Sequence, residues 1–149
     1  MRLTNEECWS ALGSAEHGVL CTVNARLSID AVPTCFALVS GLIVTAIDRV
    51  KPKDTRELGR LKNLDRDATA TLLCDHWDPH DWSRLWWVRA HLLRRSGHEV
   101  RDPVLAAGER ALREKYAQYR YTDFAELILF DVETLVGWSG QLDETDPLM

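Results

Sequence analysis

Phe36-Ala37-Leu38-Val39-Ser40-Gly41-Leu42-Ile43-Val44-Thr45 reads as two apolar runs on either side of a Ser-Gly pair. A two-residue loop of small residues between such runs is the signal of a tight antiparallel hairpin. Upstream, 29–39 reads as a single strand in which Val32, Phe36 and Leu38 alternate with Ala31, Cys35, Ala37 and Val39. A strand of a half-exposed sheet would carry polar residues at every second place, and this one is apolar on both faces. The pattern therefore predicts a sheet covered on both sides, by a barrel interior and by a helix or a partner subunit.

The flanking segments extend this reading. Thr4 with Glu7 is a capping-box spacing, and Trp9 with Leu12 gives a short amphipathic helix ending near Gly13. A first strand spans 18–23, with a turn around Asn24-Ala25-Arg26 leading to the second. Further on, Asp54 and Glu57 form another capping-box pair opening a helix over 54–66, whose apolar face carries Leu58, Leu61 and Leu64. Strands over 68–75 and 85–95 follow. In the longer one, Trp86, Val88, Ala90 and Leu92 share one face, assigned to the core; Trp87, Arg89, His91 and Leu93 share the other, assigned to a cleft or subunit interface. Asp102-Pro103 reads as an N-cap with proline at the first helical position, opening a helix over 102–118. A final strand over 125–132 precedes Val136-Gly137-Trp138-Ser139-Gly140 and an acidic tail. Strands interrupted by a few helices suggest a small antiparallel, mainly β barrel with appended helices.

Composition bounds the function. A chain of 149 residues, 46% of them hydrophobic, supports one core of ordinary size, and residues 1–149 read as a single domain. A net charge of -5 argues against a general nucleic-acid or anionic-membrane binder. No apolar run approaches the length of a membrane span and the first residues lack a signal-peptide core, so a cytoplasmic location is the default expectation. Cys8, Cys21, Cys35 and Cys74 are scattered among apolar neighbours with no C-x-x-C pair, and read as buried thiols.

Two segments carry candidate chemistry. In Lys51-Pro52-Lys53-Asp54-Thr55-Arg56-Glu57-Leu58, three cations surround the expected start of a helix, where the dipole already disfavours positive charge. A bound phosphate or carboxylate reconciles that crowding; solvated side chains paired with Asp48, Asp54 and Glu57 are the alternative. The second segment, Asp75-His76-Trp77-Asp78-Pro79-His80-Asp81, concentrates imidazoles and carboxylates. Pro79 breaks any helix that would give His76 and His80 ligand geometry, so a polar loop rimming a cleft is the reading, and no metal site is assigned. No hydrolase, Walker or dinucleotide fingerprint is present. Six tryptophans are many for this length, and Trp77, Trp82 and Trp87 on or beside the polar loop suit either a planar cofactor or a dimer interface.

The order of hairpin, Lys-Pro-Lys-x-Thr-Arg-x-Leu, Leu72-Leu73-Cys74-Asp75-His76-Trp77, Asp81-Trp82-Ser83-Arg84-Leu85-Trp86-Trp87-Val88-Arg89, Phe130-Asp131-Val132 and Gly137-Trp138-Ser139 resembles the pyridoxamine-5'-phosphate-oxidase-like split β-barrel superfamily. Within it, the chain is similar to the actinobacterial coenzyme F420-dependent oxidoreductases. The resemblance implies a Greek-key-like split barrel of the FMN-binding type, a homodimer with cofactor grooves at the subunit interface, and hydride transfer from the deazaflavin F420 to a small organic acceptor. It places Lys51, Lys53 and Arg56 at the cofactor phosphate, Thr45 as a hydroxyl donor, Pro33 and Thr34 under the ring, and Trp77 and Trp87 as walls reaching the neighbouring subunit's site. It identifies no catalytic acid. FMN as cofactor, or a non-catalytic carrier of a flavin or tetrapyrrole, are the alternatives. The first hairpin departs from related sequences: Asn24-Ala25-Arg26-Leu27-Ser28 replaces their usual Asp-Gly turn with its following arginine and proline.

Overall fold

The structure is a computed structural model and describes residues 1–48, 55–95 and 102–141. Helix α1, Asn5–Ser14, opens on the Thr4 capping box: the Thr4 hydroxyl accepts from the Glu7 N–H at 3.2 Å and the Glu7 carboxylate from the Thr4 N–H at 3.0 Å. Strands β1, Gly18–Val23, and β2, Ile29–Thr34, form a hairpin closed by Asn24, whose side-chain oxygen accepts from the N–H groups of Arg26 and Ser28. Strands β3, Ala37–Val39, and β4, Leu42–Asp48, form the second. Its loop residues Ser40 and Gly41 have φ of 49° and 76°, the paired positive values of a type I′ turn that the Ser-Gly pair predicts. Then come α2, Thr55–Arg66; β5, Thr69–His76; β6, Trp86–Arg94; α3, Asp102–Lys115; and β7, Phe124–Ser139.

All seven strands lie in one antiparallel sheet of order β2-β1-β5-β6-β7-β4-β3. The edge strands β2 and β3 are consecutive in the chain, separated by Cys35 and Phe36 alone. Two residues reach no more than about 10 Å from Thr34 to Ala37, so the sheet has to curl until its two edges meet. The result is a curled half-barrel. This corrects the expectation of one strand over 29–39: the Phe36 backbone leaves the ladder because the Tyr116 hydroxyl takes both its N–H and its C=O.

Two further expectations change at their ends. The last strand is not 125–132 but the whole of β7, which pairs with β4 in its first half and with β6 in its second, so Val136 to Ser139 belong to it. Gly137 has to be glycine there, since a Cβ would stand 2.8 Å from the Cys8 sulfur. The third helix stops at Lys115 rather than 118, because Tyr116 turns to an extended φ of -117° and a 3-10 turn over Ala117–Tyr119 follows.

Side-chain alternation sorts the strands onto two cores. Leu20, Leu72, Val88, Ala90, Leu92, Ile43, Ile47, Ile128 and Phe130 fill the barrel interior with Leu12 of α1 and Leu64 of α2. On the opposite face of β4 and β7, Val44, Ala46 and Leu129 pack with Leu112 of α3. Gly108 lets α3 lie close on β4, where a Cβ would come within 3.2 Å of Val44. The β3–β4 part of the sheet is thus covered on both sides, as its apolar pattern predicts. Across β2, β1, β5, β6 and the far half of β7 the outer face carries a cross-strand row of Pro33, Val19, Leu73, Arg89 and Val136. That face exposes Ile29, Leu73, Leu93 and Trp138. Among the described residues, no helix is long and apolar enough to cross a membrane.

Candidate functional site

Where β2 reaches its end, α2 lies against the first hairpin and supplies two polar side chains, Arg60 and Asn63, one turn apart. The Arg60 guanidinium, 8% exposed, donates to the Thr34 hydroxyl at 3.1 Å. Asn63 donates to the Thr22 hydroxyl at 3.1 Å and to the Asp30 carboxylate at 2.9 Å. Hydrogen bonds from Asn24 and then Asn63 hold the Asp30 carboxyl below its ordinary range. A guanidinium this far from water needs bonded partners to be tolerated, and Thr34 is one of them; the hydroxyl is thereby fixed beside a buried positive charge. Strand β2 is a sheet edge, so half of its backbone N–H and C=O groups are not used by the ladder.

Beyond Thr34 the chain crosses to β3 and borders a pocket of about 650 Å³. Pro33, Thr34 and Cys35 form one wall; Lys115, Tyr116 and Tyr119, at the end of α3, form the other; Glu16 and His17 stand at its edge. The Tyr116 hydroxyl accepts from Phe36 N at 3.0 Å, with the Glu16 carbonyl at 2.7 Å and the Phe36 carbonyl at 2.9 Å available to its proton. Burial pushes this phenol up to about 12. The Lys115 ammonium sits 3.8 Å from the Phe36 ring centre and 5.3 Å from that of Tyr116, and desolvation lowers its pKa. Cys74, below it in the barrel, is pushed up to about 12 by burial and stays a neutral thiol.

The residues picked out from the sequence fall into separate places. Pro33 and Thr34 line this pocket. Arg56 stands in the first turn of α2, four residues before Arg60. Lys51, Lys53 and the expected cap Asp54 lie outside the described residues. Thr45 shares the interior face of β4 with Ile43 and Ile47, has no exposed surface, and its hydroxyl has no hydrogen-bond partner among the described residues. Trp87 is half-buried on the outer face, opposite Trp138 and 5.5 Å from the Arg89 guanidinium. It is three strands from β2, about 14 Å at the usual strand spacing. Trp77 is exposed and its ring lies 5.9 Å from that of Trp82. His76 stacks with Trp86, and no three His, Cys, Asp or Glu side chains converge on a metal-sized site among the described residues.

Four residues of the site escaped the sequence reading: Arg60, Asn63, Lys115 and Tyr116. For the first two a signal existed. Arg56, Arg60 and Asn63 are spaced i, i+4, i+7, a polar stripe beside the leucine face of the same helix. Nothing in the sequence marks Lys115, whose significance arises from the crossing of β2 to β3 beneath it.

No family model and no curated protein matches the chain. Solved structures do. A conserved hypothetical protein from Mycobacterium tuberculosis superposes with a TM-score of 0.72 at 15% identity, over 97% of this chain and 91% of that one. The FAD binding protein from Mycobacterium smegmatis superposes with a TM-score of 0.62 at 14% identity, over 93% and 98%. The fold is a split β-barrel. An F420 reductase shares this split barrel with a TM-score of 0.55 at 16% identity, over 85% of this chain and 93% of its own.

Proposed function

We propose that the 149 residues form one split-barrel domain that pairs with a second copy through the outer face of β1, β5 and β6 and binds coenzyme F420 in the groove so formed, as a cytoplasmic oxidoreductase acting on a small organic acceptor. The observation that carries this is the end of β2. There, a free strand edge, the flat face of Pro33 and a hydroxyl held by the buried Arg60 guanidinium of α2 border an open pocket. This donor set fits the group: edge N–H and C=O groups match the polar rim of a flavin-type ring, and Lys51, Lys53 and Arg56 match its phosphate. When bound, the deazaflavin supplies a hydride to the acceptor. The chain's own residues orient the ring through Pro33 and Thr34, neutralise the phosphate, and exclude water by closing the groove with Trp77 and Trp87 of the second copy. The exposed apolar side chains of the outer face, Ile29, Leu73, Leu93 and Trp138, support the pairing.

Titration of the purified protein with F420, and separately with FMN, followed by cofactor fluorescence, tests this reading. Selective saturation with F420, weakened roughly a hundredfold by Lys51→Ala with Lys53→Ala, is expected from losing two charge-assisted contacts. Preference for FMN transfers the protein to the flavin alternative, and equal affinity in the double variant refutes the phosphate placement.

A further inference from the structure

The Lys115 ammonium is half-buried, and among the described residues no acceptor or carboxylate lies within bonding distance of its Nζ. Its nearest neighbours are the Phe36 and Tyr116 rings, and burial is the main cause that lowers its pKa. A half-buried ammonium that meets aromatic faces and the open pocket, with no anionic partner of its own among the described residues, is poised to take one from a ligand. Nothing in the packing of the core demands it, since the residue lines a pocket rather than filling one. The pocket's size, about 650 Å³, lies in the range used for small-molecule sites. Flat apolar surface comes from Pro33, Ala117 and the Tyr119 ring, packed edge-on against Tyr116 at 5.4 Å, while His17, Thr34 and Gln118 add polar groups to the lining. Among the described residues, exposed Glu16 is the one carboxylate in the pocket's lining.

We infer that this pocket binds a small planar carboxylate, an aromatic or conjugated acid whose carboxyl group takes the Lys115 ammonium and whose ring lies between Pro33 and Tyr119. A neutral molecule of the same shape would leave the ammonium unpaired, so the site discriminates by charge. That this acid is the acceptor of the reaction rests on the function proposed above, because Pro33 and Thr34 then border both ring and pocket; the binding itself does not.

Calorimetric titration of the full chain, with no cofactor added, uses trans-cinnamate and its uncharged amide as probes. Saturable binding of cinnamate, with the amide at least about tenfold weaker, is expected. Lys115→Met should weaken cinnamate by about tenfold or more and abolish the preference over the amide, while Lys115→Arg retains it and Glu16→Gln strengthens cinnamate binding. The thermal melt of Lys115→Met and its far-ultraviolet circular dichroism serve as checks on folding. Equal binding of acid and amide, unchanged cinnamate affinity in Lys115→Met, or no binding of cinnamate at millimolar concentration overturns the inference. Lysine-dependent cinnamate binding in a protein that ignores F420 and FMN would keep the pocket and sink the oxidoreductase reading; the reverse result would do the opposite.

Discussion

Replacing Tyr116 by phenylalanine removes one oxygen atom and keeps the ring that packs against Tyr119. That oxygen accepts from the N–H of Phe36, a residue with no exposed surface, and donates to one of two carbonyls at 2.7 and 2.9 Å. The lost bond contributes about 1 kcal/mol net, and leaving the buried Phe36 N–H without an acceptor costs a further 1–3 kcal/mol, roughly 3 kcal/mol in all. For a domain of this size that lowers the melting temperature by about 6–12 °C. Urea unfolding followed by circular dichroism measures it as a drop in midpoint at constant slope, with Tyr121→Phe as control, because Tyr121 is 93% exposed. Alkaline titration adds an independent reading. An unfolded tyrosine loses its proton near 10.0, whereas burial holds Tyr116 up to about 12. Between those values the native state binds more protons, so stability that is complete below the lower pH is lost as pH rises to the upper one. The phenylalanine variant lacks that loss, although Cys74, raised from 9.0 to about 12, contributes a slope to both proteins. A midpoint change below about 0.5 kcal/mol, the scatter of ordinary surface substitutions, or an unaltered alkaline slope would refute the tie between α3 and the β2–β3 crossing.

Two other substitutions test the first hairpin and the outer face. Leu27 holds a φ of 61° while 85% exposed, so Leu27→Gly should raise stability by about 1 kcal/mol, read from the same urea curves; a loss of stability would mean that the turn is shaped differently. Leu73→Lys sets a second positive charge opposite Arg89 on the outer face, and light scattering should show the mass falling from twice 17.0 kDa to a single copy with the melt little changed. A wild-type protein already at the single mass would remove this face as the pairing surface.

The hairpins and the alternation of Trp86 to Leu93 were legible because each depends on neighbours close in sequence. The Ser40-Gly41 turn needs two residues that accept positive φ, and Val88, Ala90 and Leu92 all reach the core as their spacing predicts. The break of 29–39 into two edge strands was not legible, since it is imposed by Tyr116, 80 residues away from Phe36. The pocket is hidden for the same reason: Pro33 and Lys115 meet only after the sheet has curled. The resemblance makes Thr45 a hydroxyl donor to a cofactor, and the strand's alternation sets its side chain on the interior face beside Ile43 and Ile47.

Strand β7, the last of the seven in chain order, lies between β6 and β4. Until it is made, the sheet exists as two pieces, β2-β1-β5-β6 and β4-β3, joined by Cys35 and Phe36 and by the segment that carries α2. A ribosome needs about 4–15 s to pass from the end of β4 to the start of β7. During that interval Leu42 to Ile47 present an apolar strand with one unpaired edge to the cell. Closure of the barrel therefore waits on β7, and a nascent chain that lacks it exposes an apolar edge which the finished sheet covers.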